Sequence, residues 1–224
     1  MLTLLISSAL VLGLLLVAVY FWQKPAGTPD SIPLPPSPEP RGLFAEPESQ
    51  VQIEAAIVED RLRESILSQA AAGDRSSLEK ARQLKDEDLY DQVLTDLVRS
   101  TTTDAQLLSL TSYVTRNEWP VNRTLARACI ESWKKAPDST STTKTLHIAA
   151  LSDDAETYQT AAELAVRFWR DKKLPGLTAV ELNALLNGEF WVLSSATRSS
   201  GAGFILKRTL ASARRELEQT NTTN

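Results

Sequence analysis

From residue 51 onward the apolar residues of this chain recur at spacings of three and four, and that period calls for helix. Val51, Ala55, Val58, Leu62 and Ile66 make one stripe. Leu89, Val93 and Leu97 repeat it, as do Leu125, Cys129 and Trp133, then Tyr158, Ala161, Ala165 and Phe168, and finally Leu206, Leu210, Ala213 and Leu217. Residues three or four apart lie on one helix face, so each set is a face to be buried. No run alternates apolar and polar residues convincingly enough for a half-buried strand. The fold class expected is all-α.

Helix chemistry marks the boundaries. Asp74, Asp88, Thr103, Asp138 and Thr178 each stand just ahead of a helical run. A short oxygen-bearing side chain there accepts a bond from an otherwise unpaired backbone amide. Pro120 suits a first helical turn, and Pro137 and Pro175 suit stops. Gly73 and Gly176 suit turns. These marks predict eight or nine helices joined by short loops.

The helices come in pairs. Pair starts near residues 74, 104 and 138 lie 30 and 34 residues apart. "ACIESWKKAPD" (128–138) and "LAVRFWRDKKLPG" (164–176) share small apolar residues, a Trp, a Lys-Lys pair and a closing Pro. Over residues 74–176 the chain therefore resembles α-solenoids of the tetratricopeptide or HEAT type, whose period lies between 30 and 50 residues. It lacks the tetratricopeptide Trp-x2-Leu-Gly-x2-Tyr signature. The resemblance implies antiparallel helix pairs with a concave face for extended peptides or partner helices. An irregular helical bundle is the alternative.

Ahead of this domain stands a different kind of sequence. Residues 2–22 carry no charge and no proline. Such a run spans about 31 Å as a helix, the thickness of a bilayer core. Tyr20 and Trp22 sit where interfacial aromatics belong, followed by Lys24. No Lys or Arg precedes the run, and its end is too bulky for signal cleavage. Residues 1–23 are thus expected to be a single-pass transmembrane anchor. Lys24 and Arg41 on the C-terminal side place the domain in the cytoplasm by the positive-inside rule. Residues 24–46 form a proline-rich linker: eight of the eleven prolines fall between Pro25 and Pro47. At about 3.1 Å per residue, the linker reaches roughly 70 Å. Residues 47–224 form the all-α domain.

Charge excludes some functions. Beyond residue 46 the chain carries 22 Lys and Arg (24 less Lys24 and Arg41) against 25 Asp and Glu (28 less Asp30, Glu39 and Glu46). That balance argues against nucleic-acid binding driven by bulk charge. Cys129 is the single cysteine and His147 the single histidine. An intramolecular disulfide and a two-histidine metal motif are therefore ruled out for this sequence. His147 lies in a helical run and reads as structural. No catalytic set and no cofactor or metal site is assigned.

Three features remain. The turn "SSGAGF" (199–204) lacks the lysine spacing of a phosphate loop, but with Glu189, and Arg198 as its loose partner, it carries an alternative reading as an enzyme or small-ligand site. Lys207, Arg208, Arg214 and Arg215 form a basic band on the last helix, a candidate contact for an acidic partner or anionic lipid. The anchor and the helix pairs together point to a non-enzymatic, membrane-anchored scaffold or adaptor that recruits a protein. A self-associating membrane component is the third alternative.

Overall fold

The structure is a computed structural model and describes residues 47–222. The expected anchor and linker lie outside the described residues. Among the described residues no helix is long and apolar enough to cross a membrane.

Ten helices are described: α1 (Pro47–Ala71), α2 (Ser76–Gln83), α3 (Glu87–Ser100), α4 (Asp104–Arg116), α5 (Arg123–Lys135), α6 (Ser139–Leu151), α7 (Ala155–Arg170), α8 (Ala179–Phe190), α9 (Ser195–Ser199) and α10 (Gly201–Thr222). No strand is found among the described residues. The all-α expectation holds, and the helices pack as antiparallel pairs.

The caps explain where the helices begin. Thr103 accepts from the Gln106 amide and Thr178 from the Glu181 amide, and each partner's side chain bonds back to the cap. Asp138 and Ser141 do the same for α6. Three boundaries differ from the sequence reading. At α2 the cap position is Arg75, which makes no side-chain cap bond, and Asp74 one residue earlier accepts from the Ser76 amide at 2.9 Å. Asp86, not Asp88, caps α3, its Oδ1 accepting from the Leu89 amide at 2.9 Å. Asp86 has the extended backbone a cap needs, whereas Asp88 already lies in the first turn. Pro120 precedes α5 instead of opening it, because Asn122 is the cap.

Helix ends show a shared device. Lys85, Glu118, Asp153 and Lys172 all have positive φ, between 49° and 55°. Each lies two residues past the end of α2, α4, α6 or α7. This left-handed turn pairs the last carbonyls, as Lys173 N bonds Phe168 O at 2.8 Å.

The helices stack in two layers. In one, α3 packs on α5, α5 on α7 and α7 on α10. In the other, α6 packs on α8. α5 and α6 share the core: Leu125 and Cys129 belong to the cluster with α3 and α4, while Ile130 and Trp133 belong to the one with α7, α8 and α10. Each helix meets near neighbours in the sequence, which is the quasi-linear logic of helical repeats. Two buried tyrosines bind this stack: Tyr90 donates to Pro120 O at 2.9 Å and Tyr158 to Leu186 O at 2.7 Å. Burial pushes both phenols above the ordinary tyrosine range.

α1 departs from its predicted stripe. Ile66 and Ala70 are buried, but Val58 and Leu62 are 65% and 44% exposed. Its last turns dock on the domain, and the turns before them meet solvent.

Candidate functional site

α4 and α6 both pack on α5, yet no interface like that of α6 on α8 joins them. Between them runs a groove of about 600 Å³. Its residues explain it. α4 contributes Thr111, Ser112 and Thr115, and α6 contributes Thr140, Ser141 and Thr145. Side chains this short leave space that leucines would fill.

The buried part of the lining is Leu107, Thr111, Cys129, Trp133, Thr145 and Ile148. Trp133 is 3% exposed and meets Phe168 edge to face, with ring centres 5.0 Å apart. Its Nε1 has no hydrogen-bond acceptor among the described residues. Cys129 Sγ lies 3.3 Å from Thr111 Oγ1. Burial pushes its thiol up, against a smaller opposing effect of that hydrogen bond. A raised thiol at a buried position is unsuited to nucleophilic work.

The exposed part mixes one large apolar group with charge. Leu108 is 57% exposed. Lys135 reaches Asp104 at 2.9 Å, tying the start of α4 to the end of α5. That bond, with a further one from Ser132, holds the Asp104 carboxyl below its ordinary range. Lys144 also lines the groove, and its charge acts on the Asp138 carboxyl, another lining group. His147 lines it too, with Nδ1 2.9 Å from Glu189 Oε2 on α8.

The last contact corrects one expectation. Glu189 is paired with His147, not with Arg198. The Arg198 guanidinium donates to the carbonyls of Trp191, at 2.9 Å, and Leu193, and stacks 4.8 Å from the Trp191 ring centre. The 199–204 turn is also committed locally. Ser200 Oγ donates to Thr197 O at 2.7 Å and accepts from the Gly203 amide at 3.0 Å, capping α10. Gly203 is needed for closeness: a Cβ there would stand 2.3 Å from Thr197 O. The turn and Glu189 are thus engaged in separate structural contacts. Among the described residues no group of three or more His, Cys, Asp or Glu is placed to hold a metal ion.

The basic band lies on the solvent side of α10. Lys207, Arg208, Arg214 and Arg215 are exposed, while Leu206, Leu210, Ala213 and Leu217 are buried on α7 and α8. Arg214 pairs with Glu218 at 2.7 Å, and Lys207 sits 5.1 Å over the Phe204 ring. The band and the groove use different helices.

Sequence reasoning missed the groove. Its walls come from residues some 36 positions apart, such as Leu108 and Lys144, and no local pattern records the space between them. One signal was present: "STSTTKT" is an unusually hydroxyl-rich start for a helix. No family model, curated protein or solved structure shows significant similarity to this chain.

Proposed function

We propose that this chain is a membrane-tethered, non-enzymatic adaptor whose α4–α6 groove takes a short segment of a partner protein. The groove itself carries the reading. It combines buried apolar surface at Leu107, Trp133 and Ile148 with an exposed leucine, Leu108, and a lysine, Lys144, at its edge. An apolar centre with a polar rim is the composition of protein-binding surfaces. The segment that fits it carries apolar side chains for Leu108 and the groove floor, and an acidic residue opposite Lys144. The uncharged run 2–22 supplies the tether, and the proline-rich linker lets the domain search away from the bilayer.

A photo-crosslinking amino acid at Leu108 of the full chain tests the recognition half. One partner should crosslink at Leu108 and not at Val180, an exposed residue of α8 outside the groove. Crosslinks of equal strength at both positions contradict the reading. Resistance of the full chain to carbonate extraction from membranes tests the tether. A reporter fused after Asn224 tests the cytoplasmic placement.

Self-association is a second reading, favoured by α1. Ile53, Ile57, Val58 and Leu62 leave its first turns 45–65% exposed at the isoleucines and Val58, and 44% at Leu62. A mass for the detergent-solubilised full chain that grows with concentration supports it. A fixed monomer mass removes it.

A further inference from the structure

The solvent face of α10 and the turn between α8 and α9 combine exposed large apolar groups with basic ones. Trp191 is 68% exposed, Phe204 58% and Ile205 56%. Arg198 stacks on Trp191 and Lys207 on Phe204. Gly203 seats the first turn of α10 directly on the carbonyl of Thr197, beside Arg198, so α9 and the start of α10 form one packed corner. Along α10, Phe204, Arg208, Ala211 and Arg215 follow at spacings of four, three and four, opposite the buried stripe. From Gly201 to Arg215 the helix has four basic residues and no acidic one. The acids around it are engaged: Glu216 pairs with Arg170 at 3.1 Å, Glu218 with Arg214 of the band, Glu189 with His147, and Asp153 accepts from the Ser194 amide.

We propose that this corner docks on the anionic surface of the bilayer, with Phe204, Ile205 and Trp191 entering the headgroup region and Lys207, Arg208 and Arg215 meeting lipid phosphates. Interfacial helices have this composition, with apolar and aromatic groups beside Lys and Arg. Charge complementarity selects the anionic leaflet, because basic groups near such a surface are attracted and acidic ones repelled. The inference rests on the proposed tether. A tether of roughly 70 Å confines the domain near the bilayer, so the contact forms at a high effective concentration even when its intrinsic affinity is weak. Docking by α10 would fix one orientation of the domain, which free motion on the linker would not.

The test uses the full chain in nanodiscs of phosphatidylserine with phosphatidylcholine, and of phosphatidylcholine alone. A nitroxide is placed at Ser212→Cys, an exposed site between Arg208 and Arg215, and in a separate variant at Gln92→Cys on α3. Cys129 is buried and does not compete for label. The label at position 212 should lose accessibility to a nickel chelate severalfold in phosphatidylserine discs, and the one at position 92 should not. The loss should vanish in Lys207→Glu/Arg208→Glu, whose exposed positions leave the fold intact, as circular dichroism checks. Equal accessibility at position 212 in both lipids, with the chain still on the discs, overturns the docking and leaves the tether standing. A chain that elutes apart from both kinds of disc overturns tether and docking together. A loss that survives the charge reversal also overturns the proposal.

Discussion

Gly203 and Thr197 approach each other more closely than any side chain would allow: a Cβ on Gly203 would lie 2.3 Å from the Thr197 carbonyl oxygen. Backbone cannot yield as a flexible side chain can. Gly203→Ala should therefore destabilise the domain by about 1–3 kcal/mol, as overpacked sites do. Gly188 sits inside α8 with nothing within 4 Å of the same atom. Gly188→Ala should be neutral or stabilise by about 0.5–1 kcal/mol through helix propensity. Denaturant titrations of the two variants, read by tryptophan fluorescence, make the comparison.

The left-handed residues that follow α6 and α7 should respond differently to glycine. Lys172 has φ of 55°, and its side chain makes no hydrogen bond or ion pair among the described residues. Lys172→Gly removes a strained backbone conformation and should stabilise by about 1 kcal/mol. Asp153 has φ of 49°, but its Oδ1 accepts from the Ser194 amide at 2.7 Å. Its carbonyl also accepts from Thr197 Oγ1 at 3.1 Å. Asp153→Gly forfeits the side-chain bond, so thermal unfolding should show a gain for Lys172→Gly and none for Asp153→Gly.

Acid should weaken the domain through its capping carboxylates. Bonds from Ser141 hold the Asp138 carboxyl below its ordinary range, and bonds from Thr178 do the same for Glu181. For Asp154, burial pushes upward, and the bonds from Arg123 and Thr157 together outweigh it. A carboxylate whose pKa is depressed by folding stabilises the folded state above its unfolded value, about 4. That contribution is lost as pH falls through the lower folded value. Unfolding free energy should thus decline below about pH 4. Asp138→Asn keeps a good cap but removes one titrating group, and should flatten the decline. An unchanged pH profile in that variant contradicts the assignment.

Much of the fold was legible because it is written locally. Thr103, Asp138 and Thr178 stand at helix starts where their chemistry predicts, and the apolar stripes of α3, α5, α7 and α10 are buried. Asp88 misled because Asp86 lies two residues away and backbone angle alone distinguishes them. The α1 stripe misled at Val58 and Leu62 because periodicity tells which residues share a face, not whether a partner helix covers it. Glu189 could not be matched to His147 from sequence, since 42 residues separate them and the pair forms across α6 and α8. The groove was hidden for the same reason: it is a space between helices. The basic band was legible as a period on one helix, and Phe204 and Trp191 joined it when α9 and α10 folded together.

Filling the groove should separate its role from that of the fold. Thr115→Leu enlarges a half-buried wall residue of α4 and gives up only the bonds its hydroxyl donates to the Thr111 and Ser112 carbonyls, which leaves the Thr111–Cys129 side-chain contact in place. The variant should unfold within about 1 kcal/mol of the parent, because the groove has room for the added carbons. Its crosslink at Leu108 should nonetheless fall sharply. Unfolding curves and crosslink yield, taken on the same preparation, check both expectations.

The central claim is that the α4–α6 groove is the recognition surface, and affinity tests it most directly. Once crosslinking at Leu108 defines a partner segment, that peptide can be titrated against the full chain, Leu108→Glu and Val180→Glu. Both positions are exposed, at 57% and 67%, so both variants should fold. The account predicts at least about tenfold weaker binding for Leu108→Glu, a loss of ~1.4 kcal/mol, and no change for Val180→Glu. Equal affinity in all three proteins would contradict it.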